Sequence, residues 1–167
     1  MRSITRRVAC ALAVTLAAAC QAQDLVPEAR YAGLDSTAVQ VTLTQGGNEH
    51  RAVVDQAGLR PQALLLQGGA GNQASLSQAG AYNTVMAQQY GSDNTLTLTQ
   101  GGYSNMAALV QAGVANQASV VQNGAYNQAF VGQYGQGNQA NVSQNGFGAK
   151  VTVSQYGNHQ ATTVTQY

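Results

Sequence analysis

The 167-residue chain has no tryptophan, two prolines, two phenylalanines and two cysteines. Such a composition argues against an ordinary globular core. Both cysteines, Cys10 and Cys20, lie near the N-terminus, so no disulfide framework stabilises the rest. Charge is equally scarce: Asp, Glu, Lys and Arg make up 8% of the chain, and between Pro61 and Ala149 only Asp93 is charged. Beyond Gln23, four basic residues (Arg30, Arg51, Arg60, Lys150) stand against six acidic ones (Asp24, Glu28, Asp35, Glu49, Asp55, Asp93). A basic patch for nucleic acid or an anionic membrane is therefore absent. Low charge also leaves self-association electrostatically unopposed. In place of these residues the chain has 19 glycines and many Gln, Asn and Ala.

Residues 1–22 read as an export signal. Arg2, Arg6 and Arg7 form a basic head, and Val8 to Ala19 forms an apolar run. That run is too short to cross a bilayer as a helix but suits a signal core. Both Ala17-Ala18-Ala19 and Cys20-Gln21-Ala22 satisfy a small-x-small cleavage rule. Cys20 also has the place of a lipidated residue, without the large aliphatic residue that such sites favour three positions earlier.

From about Val39 to the last residues the chain repeats every 11 residues. Gln marks each unit: Gln45, Gln56, Gln67, Gln78, Gln89, Gln100, Gln111, Gln122, Gln133, Gln144, Gln155, Gln166. Two places after each of the first eleven comes glycine: Gly47, Gly58, Gly69, Gly80, Gly91, Gly102, Gly113, Gly124, Gly135, Gly146, Gly157. Five places after comes Asn in seven consecutive units: Asn72, Asn83, Asn94, Asn105, Asn116, Asn127, Asn138. Alanine usually follows at seven places and an apolar residue always at nine, so the unit is Q-x-G-x-x-N-x-A-x-V-x-Q.

Such a period fits either three turns of a helix or a strand plus a turn. A glycine in every unit costs a helix roughly 1 kcal/mol each, and Asn and Val add to the penalty. Within the unit, moreover, Asn, Ala, Val and Gln are spaced by two, which is strand alternation. The expected strands span about six or seven residues, such as Asn72–Gln78 or Asn116–Gln122. One face carries Asn, Ala, Val and Gln, and the other carries polar residues such as Gln73, Ser75 and Ser77. Four residues, typified by Ala79-Gly80-Ala81-Tyr82, form the expected turn, with glycine supplying positive φ. Val39–Gln45 adds a twelfth strand.

Identical strands joined by identical short turns stack. The expected fold class is all-β: a parallel β-solenoid of strand-turn-strand coils, about 22 residues each and about six in number, with two facing sheets. A three-sided coil, built from three repeat units instead of two, serves the period equally well. Like residues then stand in columns ~4.8 Å apart, where Gln and Asn side chains can bond to the amides above and below. The last strand, Gln160–Gln166, has neither charge nor proline to blunt its edge and so invites another chain.

These residues resemble the curlin repeat of bacterial curli fibres, as in Gln122-Asn123-Gly124-Ala125-Tyr126-Asn127-Gln128-Ala129-Phe130-Val131-Gly132-Gln133. The resemblance covers residues 39–167. It implies an exported, self-assembling subunit of extracellular, amyloid fibres at the bacterial outer surface, for biofilm matrix and adhesion, with no enzymatic activity and no cofactor. It also implies the partners: the chain's own copies, a second curlin subunit, the curli secretion channel and periplasmic accessory proteins. Residues 23–38 correspond to the segment recognised by that channel. Asn opening both strands of the middle coils is closer to the minor, nucleating subunit, whereas the ending Gln160–Tyr167 is closer to a major subunit, which is the reading favoured.

Competing readings have less behind them. His50 and His159 lack a second ligand at metal spacing. Asp55, Asp93 and Lys150 lie in different units and read as charges that interrupt aggregation-prone strands. No Lys-Ser/Thr follows the glycine-rich turns, as a phosphate loop requires. Tyr82, Tyr126, Tyr90, Tyr134 and Tyr156 read as one group packing along the solenoid edge. A monomeric solenoid that binds ice or glycans needs a flat Thr-x-Thr array. Thr97/Thr99 and Thr163/Thr165 provide such pairs, but Ser75/Ser77 and Asn141/Ser143 interrupt the rank. His50, Pro61, Ala149 and Gln160 take the Asn slot in the outer units, where the amide column is expected to be locally disturbed.

Overall fold

A computed structural model describes residues 39–167, together with the backbone of Thr5–Val8 and Leu12–Ala17. The strands are β1 (Thr5–Val8), β2 (Leu12–Ala17), β3 (Val39–Asn48), β4 (Arg51–Leu59), β5 (Gln62–Ala70), β6 (Gln73–Ala81) and β7 (Thr84–Ser92). They continue with β8 (Thr95–Tyr103), β9 (Met106–Val114), β10 (Gln117–Ala125), β11 (Gln128–Gln136), β12 (Gln139–Phe147), β13 (Lys150–Asn158) and β14 (Ala161–Gln166).

Alternate strands go to opposite sheets. One sheet has the order β1-β4-β6-β8-β10-β12-β14 and the other β13-β11-β9-β7-β5-β3-β2. All pairings are parallel, and in the repeat each residue lies beside its equivalent two units on, as in Ala118 beside Ala140, Val120 beside Val142 and Gln122 beside Gln144. The chain is thus a β-solenoid of about six two-sided coils, not three-sided ones. At the first coil the backbone of β2 lies along β3 and that of β1 along β4.

Alternation fixes the interior. The Ala and Val/Leu columns of both sheets form one continuous buried cluster from Val41 to Val153, each Val or Leu contributing roughly 1.5–3 kcal/mol. In β7 the sizes are exchanged: Val85 sits beside Ala63, and Ala87 beside Leu65. Bulk added at one slot is removed at the next, so the thin interior stays filled.

The strands are longer than the expected six or seven. From β4 to β13 each has nine residues, and β6 runs past Gly80 to Ala81, leaving Tyr82 and Asn83 between β6 and β7. The reason is that a stacked arc also has neighbours above and below. Tyr82 N–H donates to Leu59 O at 2.8 Å and His159 N–H to Gln136 O at 2.8 Å, so pairing continues around the bend. Glycine is required at its slot twice over. Gly102 has φ of +106°, and a methyl group there would overlap the carbonyl of Gly124 in the next coil. A second left-handed residue follows two places later, and at eight of these sites it is not glycine, for example Tyr82 (+58°), Asp93 (+57°) and Ala115 (+55°).

Candidate assembly site at the ends of two amide ladders

Each sheet carries one column of glutamines. In the first, Nε2 of Gln45 donates to Oε1 of Gln67 at 2.6 Å, and the column continues through Gln89, Gln111 and Gln133 to Gln155 at 2.7–2.9 Å. In the second, Gln56 donates to Gln78, and Gln78, Gln100 and Gln122 donate onward at 2.7–2.8 Å, with Gln144 reaching Gln166 at 3.2 Å. The second hydrogen of the amide crosses the interior. Gln111 Nε2 reaches Thr95 O at 3.0 Å and Gln122 Nε2 reaches Met106 O at 3.0 Å, each on the facing sheet. A side chain that serves its own column and also the opposite backbone ties the two sheets together.

The asparagines act differently. Asn105 Nδ2 donates to the carbonyls of Gly101 (2.9 Å) and Gly124 (3.0 Å), while its Oδ1 accepts the backbone N–H of Asn127 (3.0 Å). Asn is thus a clamp on the arc backbone, within its own coil and to the next. Direct Asn-to-Asn bonds are added at Asn94–Asn72 (3.0 Å) and Asn116–Asn94 (3.1 Å). All seven of these asparagines and the glutamines from Gln56 to Gln155 are buried; Gln45 and Gln166 are half-buried. The eleven repeat glycines all have positive φ.

His50 occupies the Asn slot of the first arc and makes both kinds of bond. Its Nε2 lies 3.0 Å from Gly46 O, and its Nδ1 lies 3.3 Å from the backbone nitrogen of Asn72. Only the tautomer with hydrogen on Nε2 satisfies both. An imidazole there spans the same donor-to-acceptor distance as an amide, and the sequence offers no sign of it beyond the slot number. At the other end Gln160 Nε2 donates to Tyr156 O at 2.7 Å. Ala149 has no amide, and its N–H is held by Asn127 Oδ1 at 3.0 Å.

The two ends of the stack are unlike. At the N-terminal end, Gln56 Oε1 and Asp55 Oδ1 are buried and have no hydrogen-bond partner among the described residues. Val8 is the residue in register with Gln56 on β1, and Arg7 the one in register with Asp55. At the C-terminal end β13 and β14 are outermost, each paired on one side only. There Gln155 Nε2 keeps its bond across the interior to Gln139 O (2.8 Å) and also reaches Gln160 O (3.2 Å) and Thr162 Oγ1 (3.1 Å), with no further glutamine above it among the described residues. Among the described residues, Gln166 Nε2 donates to nothing.

Other singled-out residues do not converge. Asp55 lies in β4, Asp93 on the arc after β7 and Lys150 at the start of β13. Among the described residues no group of three or more His, Cys, Asp or Glu is placed to hold a metal ion. The tyrosines form two columns instead of one group. Tyr82, Tyr103, Tyr126 and Phe147 run edge to face along the arcs at 5.2–5.6 Å, whereas Tyr134 stacks flat on Tyr156 at 5.0 Å within a sheet. The columns separate because successive units alternate between the two sides of the solenoid, so only every second unit falls in the same column.

The profile of a family described as Curlin associated repeat matches residues 113–146, from the end of β9 to near the end of β12. No curated protein and no solved structure matches the chain. The repeat and the parallel solenoid together support a structural, curli-type subunit.

Proposed function

We propose that the chain is the major subunit of an extracellular curli-type amyloid fibre, growing by end-to-end stacking of solenoids. The observation that carries this is the pair of unlike ends: acceptors at Asp55 and Gln56 that find no hydrogen-bond partner among the described residues, and outermost strands with the Gln166 amide free to donate at the other end. The family match over residues 113–146 supports the class of assembly. In this reading residues 1–22 are removed on export, 23–38 engage a secretion channel, and β3 and β4 then become the exposed N-terminal edge.

Because β3 to β14 make a whole number of coils, an incoming copy continues both sheets without a shift. Its β3 falls on β13 and its β4 on β14. Continuing the register of the coils then sets Gln155 against Gln45 of the next copy and Gln166 against Gln56. Val153 meets Leu43, and the Thr165 hydroxyl meets Asp55. Each orphaned acceptor gains a donor, and each open strand edge gains a partner. The role of major subunit is supported by β14, which keeps Val164 and Gln166 in the columns of Val142 and Gln144 and so ends on a regular rung.

The chain lacking residues 1–22 should pass, after a lag, from a disordered state to thioflavin-positive fibres with a meridional spacing near ~4.8 Å. A stable monomer with a sharp melting transition would refute the proposal. Within the fibre reading, Gln166→Ala or Gln45→Ala should slow seeded elongation more than Ser77→Ala, and equal effects would argue against the ladder ends as the joint. Elongation in bulk without a second protein supports the major role; fibres that form only from another subunit's seeds or monomer assign the nucleating one.

A further inference from the structure

The two outer faces of the solenoid differ in chemistry. On the sheet of β4 to β14 the central outward column is Val53, Ser75, Thr97, Ser119, Asn141, Thr163. On the other sheet the corresponding column is Thr42, Leu64, Met86, Ala108, Phe130, Thr152. The neighbouring column there adds Leu66 and Val110, and the next adds Tyr90 and Tyr134. Met86, Tyr90 and Tyr134 are exposed, and Leu64, Leu66, Val110 and Phe130 are half-exposed. This apolar field covers β5, β7, β9 and β11. Thr42 and Thr44 border it at one end, and Thr152 and Ser154 at the other. An apolar centre with a polar rim is the anatomy of an interface.

We propose that this face binds the same face of a second copy, joining two filaments back to back; the proposal rests on the fibre reading above. Charge permits it: no ionised side chain lies on β5 to β11, and the one charge in that stretch, Asp93, projects from an arc. Spacing permits it, since the side chains of two facing sheets interdigitate at ~10 Å. Area decides when it happens. Four strands at ~4.8 Å by about 15 Å of strand length give roughly 300 Å² per subunit. A stable protein pair needs about 800 Å² on each partner. One subunit therefore does not dimerise through this face, but a filament presents it at every repeat, and ten subunits in line exceed the requirement several-fold. Pairing follows polymerisation and does not precede it.

The test compares full-length mature fibres with a variant carrying Leu64→Thr, Met86→Thr, Val110→Thr and Phe130→Thr, which makes this face like the opposite one while keeping β-forming residues. Mass per length is measured by dark-field electron microscopy. Wild-type filaments should have twice the value of the variant's, with seeded elongation within about twofold, and Thr97→Ala/Thr163→Ala on the opposite face should remain paired. Met86→Lys, a single outward charge, should also halve the value, which guards against a quadruple variant that does not fold. Wild-type filaments of single mass, or pairing unchanged in both variants, would overturn the proposal while leaving the fibre reading intact. Single wild-type filaments that coat a hydrophobic surface would overturn it in favour of a non-self partner. Absence of wild-type filaments would overturn both.

Discussion

Replacing Gln111 by Ala tests whether the glutamine columns carry the stability of the assembly. Gln111 donates to Gln133 Oε1 at 2.9 Å and Thr95 O at 3.0 Å, and accepts from Gln89 Nε2 at 2.8 Å. Three hydrogen bonds at about 1 kcal/mol each are lost, and Gln133 Oε1 is left buried without a donor at a further ~1–3 kcal/mol. The sum is about 4–6 kcal/mol. Because the substitution is present in every subunit, this appears in the soluble concentration that remains at equilibrium with fibres. At about 1.4 kcal/mol per tenfold change, that concentration should rise by roughly three to four powers of ten. Thr97→Ala, on an exposed outward face, should change it by about twofold at most. Adding Gln133→Ala to Gln111→Ala removes the orphaned oxygen and loses the bond between the two only once, so the double variant should be less damaged than the sum by about 2–4 kcal/mol. Adding Gln78→Ala instead should be additive within about 0.5 kcal/mol, since Gln78 and Gln111 share no partner. If Gln111→Ala behaves like Thr97→Ala, or if Gln78 couples to Gln111 as strongly as Gln133 does, the two-ladder account is wrong.

Other consequences are local. His50→Asn should match the wild type in fibre stability, while His50→Ala should lose about 2 kcal/mol, two hydrogen bonds' worth; denaturant midpoints of preformed fibres decide between them. Gly102→Ala should abolish fibres, because the added methyl meets backbone and not a movable side chain, as thioflavin and sedimentation would show. At Ala115, with φ of +55°, Gly should raise the dissociation midpoint, and Val should destabilise the fibre by about 1–2 kcal/mol.

Much of the architecture is legible in the sequence because so short a period with internal steps of two admits few solutions. The inward columns, the parallel stacking of coils and the glycine slot all follow from that spacing. The number of sides does not, since the period closes equally on two strands or three; pairing of Gln122 with Gln144 selects two. Strand length exceeds the sequence expectation because glycine ordinarily ends a ladder, whereas Gly80 continues it by stacking on Gly102. The left-handed position two places after that glycine is invisible in the sequence, because Tyr82, Asp93 and Ala115 share no chemistry. His50 is hidden because a ring and an amide differ in name while placing donor and acceptor alike. The outer faces are blurred for a related reason. Read at every unit, Ser75 and Met86 average to a mixed surface; read at every second unit, they fall on opposite sides.

One direction is written into every rung: hydrogen passes from each glutamine to the one farther along the chain, never back. A stack of such rungs is an arrow. Its tail offers oxygen and its head offers N–H, so the two tips present different chemistry to a newcomer and need not lengthen at the same speed. An agent that mimics a lone carboxamide oxygen would stall the head and leave the tail running.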